Sequence, residues 1–257
     1  MMAPLFMLFL LQAPGSVIDR IGVDQRLGAG IPLEITFRDE TGTLVKMADM
    51  FGRKPVLLTP VYYECPMLCS MQLNGLVRAM KVLPFNAGSE FEVVTFSFDP
   101  KETPDLARAK KDRYVRDYGR AGAQAGWHFL TGDTEAIQQL TNAIGFRYEY
   151  DVATGQWAHV STVLVLTPEG RISQYLNGIE HDPQALKYSL IEASKGRIGS
   201  VLDHIALFCY QYDASSGKYS LAIIRVVRMA ALATVLSIAG FIALSSGKAR
   251  GHRSRLQ

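Results

Sequence analysis

Cysteine is scarce in this sequence, with three residues in a chain of 257. Three cysteines cannot supply the several cross-links of a disulfide-rich scaffold, so that class of fold is excluded. Two of them, Cys65 and Cys69, lie four residues apart in the stretch VYYECPMLCSMQ, and the third, Cys209, lies far downstream. The close pair therefore has to be explained by its local chemistry.

A strong net charge is also missing, because 27 basic residues stand against 24 acidic ones and the formal charge is only +3. Such a small excess does not favour a nucleic acid as partner. Internal repeats and low-complexity tracts are absent as well. A chain of this length and composition is typical of one globular domain with shorter appendages.

An apolar run stands near each end of the chain. Residues 4–11, PLFMLFLL, match the core of a signal peptide in length and are too short to span a bilayer. We therefore expect a signal peptide over residues 1–15, although no basic residue precedes the run and a buried strand is the alternative. The run over residues 221–244 is long enough to cross a membrane, and it predicts a transmembrane helix at residues 221–245. A buried amphipathic helix is the alternative there.

The residues around this second run predict an orientation. Tyr210, Tyr212 and Tyr219 precede it, where an aromatic belt would lie, and a tail rich in lysine and arginine follows it at residues 246–257. By the positive-inside rule, this tail is cytoplasmic. We therefore expect a protein of the cell inner membrane with its main domain on the periplasmic face. The close cysteine pair would then face an oxidising compartment.

Between the two ends, apolar strand patterns alternate with helical patterns. Strands are predicted at residues 56–63, 91–98 and 127–130 and in a hairpin that bends at 168–170; helices are predicted at 66–82, 104–119, 135–145 and 183–194. This order predicts an α/β three-layer sandwich around a mixed central sheet. The domain would cover residues 30–195, after a linker and before a helical neck at residues 196–220.

The cysteine pair stands where a buried strand ends and a helix begins. Free N–H groups and the helix dipole stabilise a thiolate there, so the pKa of Cys65 should be lowered. Residues four apart on a helix have Cβ atoms about 5–6 Å apart, whereas a disulfide needs about 3.5–4.5 Å. The pair can thus form a disulfide only if the first turn is irregular, while two thiolates can chelate a soft ion such as Cu(I). Haem attachment is excluded, because Ser70 and not histidine follows Cys69.

A third metal ligand would most naturally be a histidine, and the domain offers His128, His159 and His181. His159 is the best placed, because it directly precedes an apolar strand at the end of a polar loop. A packing role is the alternative for His159 and the preferred interpretation of His128 and His181. His204 and His252 lie outside the predicted domain.

Taken in order, ECPMLC, FSFDPKETP, WHFLTGD and a histidine before VLVLTPEGRI resemble the Sco/SenC family over residues 32–194. The resemblance implies a thioredoxin-like fold and a membrane-anchored protein that helps to insert copper into the CuA centre of cytochrome c oxidase. It also implies that Cys65, Cys69 and His159 are ligands of Cu(I) or Cu(II). The acidic residue of the family falls on Asp99, for which a turn role before Pro100 is the alternative.

The sequence departs from the family pattern at Ser70, where many members have proline, at Glu64, where many have a small polar residue, and in its C-terminal anchor. Two functions remain open. The first is a copper chaperone whose partner is the copper-bearing subunit of cytochrome c oxidase or another acceptor. The second is a thiol–disulfide reductase in which Cys65 attacks and Cys69 resolves. A third function, a metal-free interaction module, would leave the position of Cys65 and Cys69 at a helix start unexplained. For Cys209, the simplest role is that of a packed thiol.

Overall fold

The computed structural model describes residues 20–199, 212–213, 218–219, 228–229, 231–232 and 234–238. The chain divides into two compact units after Gly199. The first unit contains the close cysteine pair and the three histidines of the predicted domain. Its strands are β1 (Gly22–Val23), β2 (Thr36–Arg38), β3 (Leu44–Lys46), β4 (Val56–Val61), β5 (Glu92–Ser97), β6 (Trp127–Leu130), β7 (Phe146–Arg147), β8 (Glu149–Asp151), β9 (Gln156–Ala158), β10 (Thr162–Leu166) and β11 (Ile172–Asn177).

The helices of this unit are α1 (Leu68–Lys81), α2 (Pro104–Tyr118), the single turn α3 (Ala123–Gly126), α4 (Thr134–Ala143) and α5 (Pro183–Ser194), with a 3₁₀ turn at Met47–Met50. Helix α2 begins with proline and ends before Gly119, whose φ of +66° is left-handed, as the sequence predicts. Thr103 precedes α2 at the predicted cap position, but its side chain forms no capping hydrogen bond.

A five-stranded sheet forms the centre, in the order β11-β10-β4-β5-β6. Strands β4, β5 and β6 are parallel, whereas β10 runs antiparallel to both β4 and β11, so the sheet is mixed as predicted. Every residue of β4 and of β10 is buried. Strands that are covered on both faces need a layer on each side, which explains their continuous apolar sequences.

Two local predictions are wrong. Residues 16–30 are predicted as a linker, but Gly22 and Val23 pair with Arg147 and Phe146 as β1 and β7. The polar loop before His159 is in fact a hairpin, in which β8 and β9 pair and Tyr150 lies opposite Trp157. A turn with Gly155 at a φ of +68° connects its strands, and the two aromatic rings stabilise it across them. Both features lie close to the candidate site.

The second unit tests the C-terminal predictions only in part. Within the described residues, no helix is long and apolar enough to cross a membrane. The predicted span is described only at residues 228–229, 231–232 and 234–238, which are helical, so the span itself stays a prediction. The helical neck predicted at residues 196–220 is wrong for the residues 212–213 and 218–219. These residues are not helical, because Tyr212–Asp213 and Lys218–Tyr219 pair as antiparallel strands. Tyrosines that flank the turn-forming sequence ASSG favour such a hairpin. The predicted signal peptide, Cys209 and the basic tail lie outside the described residues.

Candidate metal centre

The first half of the site is the turn that joins β4 to α1. The Cys65 N–H donates to the carbonyl of Tyr62 at 3.2 Å and closes the turn. Helix α1 begins only after Met67, whose φ of −143° is not helical, so Cys65 lies before the helix and Cys69 lies in its first turn. The pair therefore does not have the regular helical spacing, and the irregular start that a disulfide would require is present.

Both thiols are buried and free. The exposed fraction is 8% for Cys65 and 3% for Cys69. The backbone N–H of Cys69 donates to the Cys65 sulfur at 3.3 Å, and the N–H of Tyr62 approaches the Cys69 sulfur at 3.4 Å. Each sulfur thus receives a backbone N–H from the end of the strand or the start of the helix, and the N–H at Cys65 lies where the start of a helix stabilises a thiolate.

The second half of the site is His159, between β9 and β10. Its Nε2 lies 3.3 Å from the Cys69 sulfur, and its Nδ1 lies 2.9 Å from the carbonyl oxygen of Val160. A carbonyl can only accept, so the proton is assigned to Nδ1 and the lone pair of Nε2 faces the sulfurs. The ring is buried, with its edge against Phe98 and Tyr62 at centroid distances of 5.1 and 5.7 Å.

The structure therefore brings together the three side chains that the sequence singles out. Three ligand atoms lie within 4.8 Å of one another, namely the sulfur of Cys65, the sulfur of Cys69 and one ring nitrogen of His159. A carbonyl that accepts the second ring N–H of the histidine and an apolar shell around the ring are typical of metal sites, because they fix the orientation of the ligand.

The two thiols differ strongly in acidity. The pKa of Cys65 is lowered to about 3, first by a hydrogen bond from the Cys69 thiol and then by the backbone N–H groups of Cys69 and Met67. The pKa of Cys69 is raised well above its ordinary value, because burial and the neighbouring Cys65 thiolate both disfavour a second negative charge. The lowered pKa of Cys65 confirms the prediction. In the metal-free protein, Cys65 is therefore the thiolate of the pair, and Cys69 is the thiol that keeps its proton.

The other candidate histidines lie elsewhere. His128 is on β6 and lies 3.6 Å from Glu92, at the opposite end of the sheet from the cysteines. His181 is buried in the segment before α5, and burial lowers its pKa to about 4. Neither belongs to the cluster of Cys65, Cys69 and His159, which agrees with the packing roles expected for them. His204 and His252 lie outside the described residues.

Asp99 has the turn role considered for it and a second contact that the sequence did not predict, and it does not belong to the cluster of Cys65, Cys69 and His159. One carboxylate oxygen accepts from the backbone N–H of Lys101 at 2.9 Å, as a turn residue does. The other accepts from the indole N–H of Trp157 at 2.8 Å. Because Trp157 lies on β9, two residues before His159, Asp99 ties the hairpin that carries the histidine to the end of β5.

Sequence reasoning missed a second carboxylate in the same loop. Glu102 is buried, with 7% of its surface exposed, and accepts from the backbone N–H groups of Tyr63 and Glu64, each at 2.7 Å. These residues immediately precede Cys65. The segment FSFDPKETP indicates acidic residues after a buried strand, but nothing in it identifies which backbone groups they would bind.

The comparisons with known proteins agree with this geometry. A family model described as SCO1/SenC matches residues 24–193. The chain belongs to the SCO1/SenC family. No curated protein gives a significant match. The residues matched by the family model cover the sheet, the cysteine turn and His159.

Three solved structures show the same fold. A candidate electron transfer protein from Aquifex aeolicus VF5 is 29% identical, with a TM-score of 0.59 over 70% of this chain and 99% of that one. Arabidopsis thaliana ScoI with copper bound is 20% identical, with a TM-score of 0.52 over 65% and 99%. BsSco, described as a member of the Sco family of cytochrome c oxidase assembly proteins, is 19% identical, with a TM-score of 0.53 over 67% and 97%. These relatives support the thioredoxin-like Sco fold predicted from the sequence.

Proposed function

We propose that this SCO1/SenC protein binds copper as cargo through Cys65, Cys69 and His159 and delivers it to an acceptor. The observation that carries the proposal is the cluster itself, in which two sulfurs and one imidazole nitrogen converge within 4.8 Å. Thiolate is a soft ligand that selects Cu(I), and the added imidazole suits Cu(II) as well. The donor set therefore fits both oxidation states.

The family supports a proposal for the acceptor. Copper is bound in the structure of Arabidopsis thaliana ScoI, and BsSco belongs to a family of cytochrome c oxidase assembly proteins. We therefore propose the copper-bearing subunit of cytochrome c oxidase, with its CuA centre, as the partner. Copper would pass by ligand exchange, and Cys65 is the ligand nearer the surface, since its exposed fraction is 8% against 3% for Cys69.

A second function is favoured by the difference in acidity between the two thiols. The Cys65 thiolate can attack a disulfide of the acceptor, which forms a mixed disulfide and releases one acceptor thiolate. Cys69 then gives its proton to that acceptor thiolate and attacks the Cys65 sulfur, which releases the second acceptor thiolate. Water protonates this thiolate, so that the acceptor leaves as a dithiol and Cys65 and Cys69 end as a disulfide. The two functions are compatible, because the cysteines of an acceptor must be reduced before they can bind copper.

Metal analysis of the purified full chain tests the proposal. The reduced protein should retain copper through gel filtration, and the protein oxidised at Cys65 and Cys69 should not, because thiolates and not a disulfide are the ligands. Cys65→Ser and Cys69→Ser should each lose Cu(I), while Cys209→Ser, as the matched control, should keep it. Unchanged copper content after full oxidation would contradict the assignment.

We also propose that the domain is anchored at the periplasmic face of the inner membrane by residues 221–245. The support comes from the apolar run and from the basic tail that follows it. This position would place the copper site on the same side as an extracytoplasmic acceptor.

A further inference from the structure

The loop between β5 and α2 contains a buried carboxylate that does not belong to the metal-ligand cluster. Glu102 is 7% exposed, and burial raises its pKa. A buried carboxylate is strongly unfavourable unless hydrogen bonds compensate it. The hydrogen-bond partners of Glu102 therefore indicate the role of this buried side chain.

Both oxygens of Glu102 bind the cysteine turn. Oε2 accepts from the N–H of Tyr63 and Oε1 accepts from the N–H of Glu64, both at 2.7 Å. These are the two residues between the carbonyl of Tyr62 and the N–H of Cys65, which close the turn at 3.2 Å. The carboxylate thus bridges the inner residues of the turn from one side.

The carboxylate is itself fixed by the sheet. The hydroxyl of Ser97, the last residue of β5, donates to Oε2 at 2.5 Å. The backbone N–H of Glu102 donates to the carbonyl of Asp99 at 3.2 Å, which closes the loop around the side chain. A rigid chain of hydrogen bonds therefore leads from the end of β5 to the backbone immediately before Cys65.

This arrangement is suited to fixing the position of Cys65. The turn lies after β4 has ended and before α1 begins, so its N–H groups have no partner in a strand or helix ladder. Hydrogen bonds to a carboxylate are about twice as strong as neutral ones. A metal site requires its ligands to be held within about 0.5 Å of the productive geometry.

We propose that Glu102 is a positioning residue, which holds the Tyr62–Cys65 turn so that the Cys65 sulfur faces Cys69 and His159. The inference rests on the proposed function, because the position of Cys65 matters when the three side chains act together. Glu102 acts through the backbone of the turn and is not one of the three side chains that would hold copper.

The variant Glu102→Gln tests this role with little change in volume. Glutamine has one acceptor oxygen, and its NH₂ group cannot accept, so at least one of the two N–H groups loses its partner. The matched control is Glu92→Gln, a partly buried glutamate at the first residue of β5, which binds Lys54 at 2.7 Å at the opposite end of the sheet. Both variants are made in the full chain, and folding is verified by circular dichroism.

Two readouts are compared. Amide hydrogen exchange at Tyr63 and Glu64 should be at least about tenfold faster in Glu102→Gln than in wild type, the scale of one lost hydrogen bond. Copper(II) should dissociate about tenfold faster, with a shifted thiolate-to-copper absorption band. Glu92→Gln should match wild type in both. A purely structural role would lower the melting temperature of Glu102→Gln and leave the absorption band of the folded protein unchanged.

The outcomes separate this inference from the proposed function. If wild type and Glu102→Gln bind copper with the same spectrum and dissociation rate, the positioning role is wrong and the copper function stands. If wild type binds no copper, the copper function is wrong. The positioning role is then decided by the rate at which Cys65 reacts with a small aromatic disulfide. A rate about tenfold lower in Glu102→Gln supports the role, and an equal rate overturns it.

Discussion

His159 is the residue that best separates copper binding from thiol–disulfide exchange. Its Nε2 lies 3.3 Å from the Cys69 sulfur, and the carbonyl of Val160 fixes its tautomer. Two thiolates can hold Cu(I) by themselves, whereas Cu(II) gains from an imidazole ligand. Exchange chemistry needs only the two sulfurs.

We expect His159→Ala to weaken Cu(II) binding by more than about 100-fold, since even outer-shell partners of a ligand contribute about 10–100-fold. Cu(I) binding should decrease much less, and the rate of thiol–disulfide exchange should stay close to that of wild type. Titration of both copper states and an exchange assay measure these effects. His128→Ala, which changes a histidine outside the cluster, is the control. Wild-type Cu(II) affinity in His159→Ala would mean that the imidazole is not a ligand.

The acidity of Cys65 predicts an unusual pH profile. Because its pKa is lowered to about 3, Cys65 is a thiolate throughout the range from pH 5 to pH 8, whereas the raised pKa of Cys69 keeps that thiol protonated there. Alkylation of Cys65 by iodoacetamide, followed by mass spectrometry of the metal-free protein, should therefore proceed at a nearly constant rate over this range. A rate that rises about tenfold per pH unit, as for an ordinary thiol with a pKa near 8.5, would show that the thiolate is not stabilised.

The sequence identifies the candidate metal ligands, but it does not identify the residues whose hydrogen bonds hold those ligands in position. Cys65, Cys69 and His159 are residue types with distinctive chemistry, and a close cysteine pair between strand and helix is recognisable locally. Glu102 is separated from Tyr63 by 39 residues, and Trp157 from Asp99 by 58. Hydrogen bonds over such distances depend on the complete fold, so single-sequence patterns cannot identify the partners.

At the scale of elements, the hairpin of β8 and β9 determines where His159 lies. The Trp157 indole donates to Asp99 at 2.8 Å, and its ring packs on Tyr148 and Phe98 at centroid distances of 5.3 and 6.4 Å. Phe98 also contacts the His159 ring. The hairpin and the end of β5 are thus joined by one polar and several aromatic contacts beside the site.

We expect Trp157→Phe to weaken Cu(II) binding by about three- to tenfold, because it removes one hydrogen bond to a charged group and keeps most of the aromatic packing. The matched control is Trp127→Phe, which removes another indole hydrogen bond, to Thr95 at 3.0 Å in the core. The control should lower the melting temperature without changing the copper spectrum of the folded protein. Identical Cu(II) affinity in Trp157→Phe and wild type would show that the hairpin does not need this bond.

Among β1, β4, β8, β9 and β10, the strands that are fully buried are predicted from the sequence, whereas the short and partly exposed strands are missed. Strands β4 and β10 are buried along their whole length, and their continuous apolar sequences predict them. Strands β8 and β9 are short and partly exposed, so their sequence reads as a polar loop. Strand β1 has two residues, too few for any periodic pattern. The missed elements are those stabilised by their partners rather than by their own apolar faces.

At the scale of the whole molecule, the domain and the C-terminal segment differ in what they expose. Cys65, Cys69 and His159 are buried in the first unit. The described residues of the segment at 228–238 include apolar side chains with exposed fractions between 56% and 71%, which are Met229, Leu232, Val235, Leu236 and Ile238. A concentration of exposed apolar side chains is typical of a surface that contacts lipid or another protein.

The last prediction concerns the orientation of the chain in the membrane. If residues 221–245 span the inner membrane, the basic residues Lys248, Arg250, Arg253 and Arg255 stay in the cytoplasm, because short basic segments are retained there. In spheroplasts with an intact inner membrane, an external protease should digest the domain but spare an epitope tag placed after Gln257. Detergent should then expose the tag, and a chain that ends at Gly199 should appear in the soluble fraction as the matched control. Loss of the tag from sealed spheroplasts would place the C-terminus outside and contradict this topology.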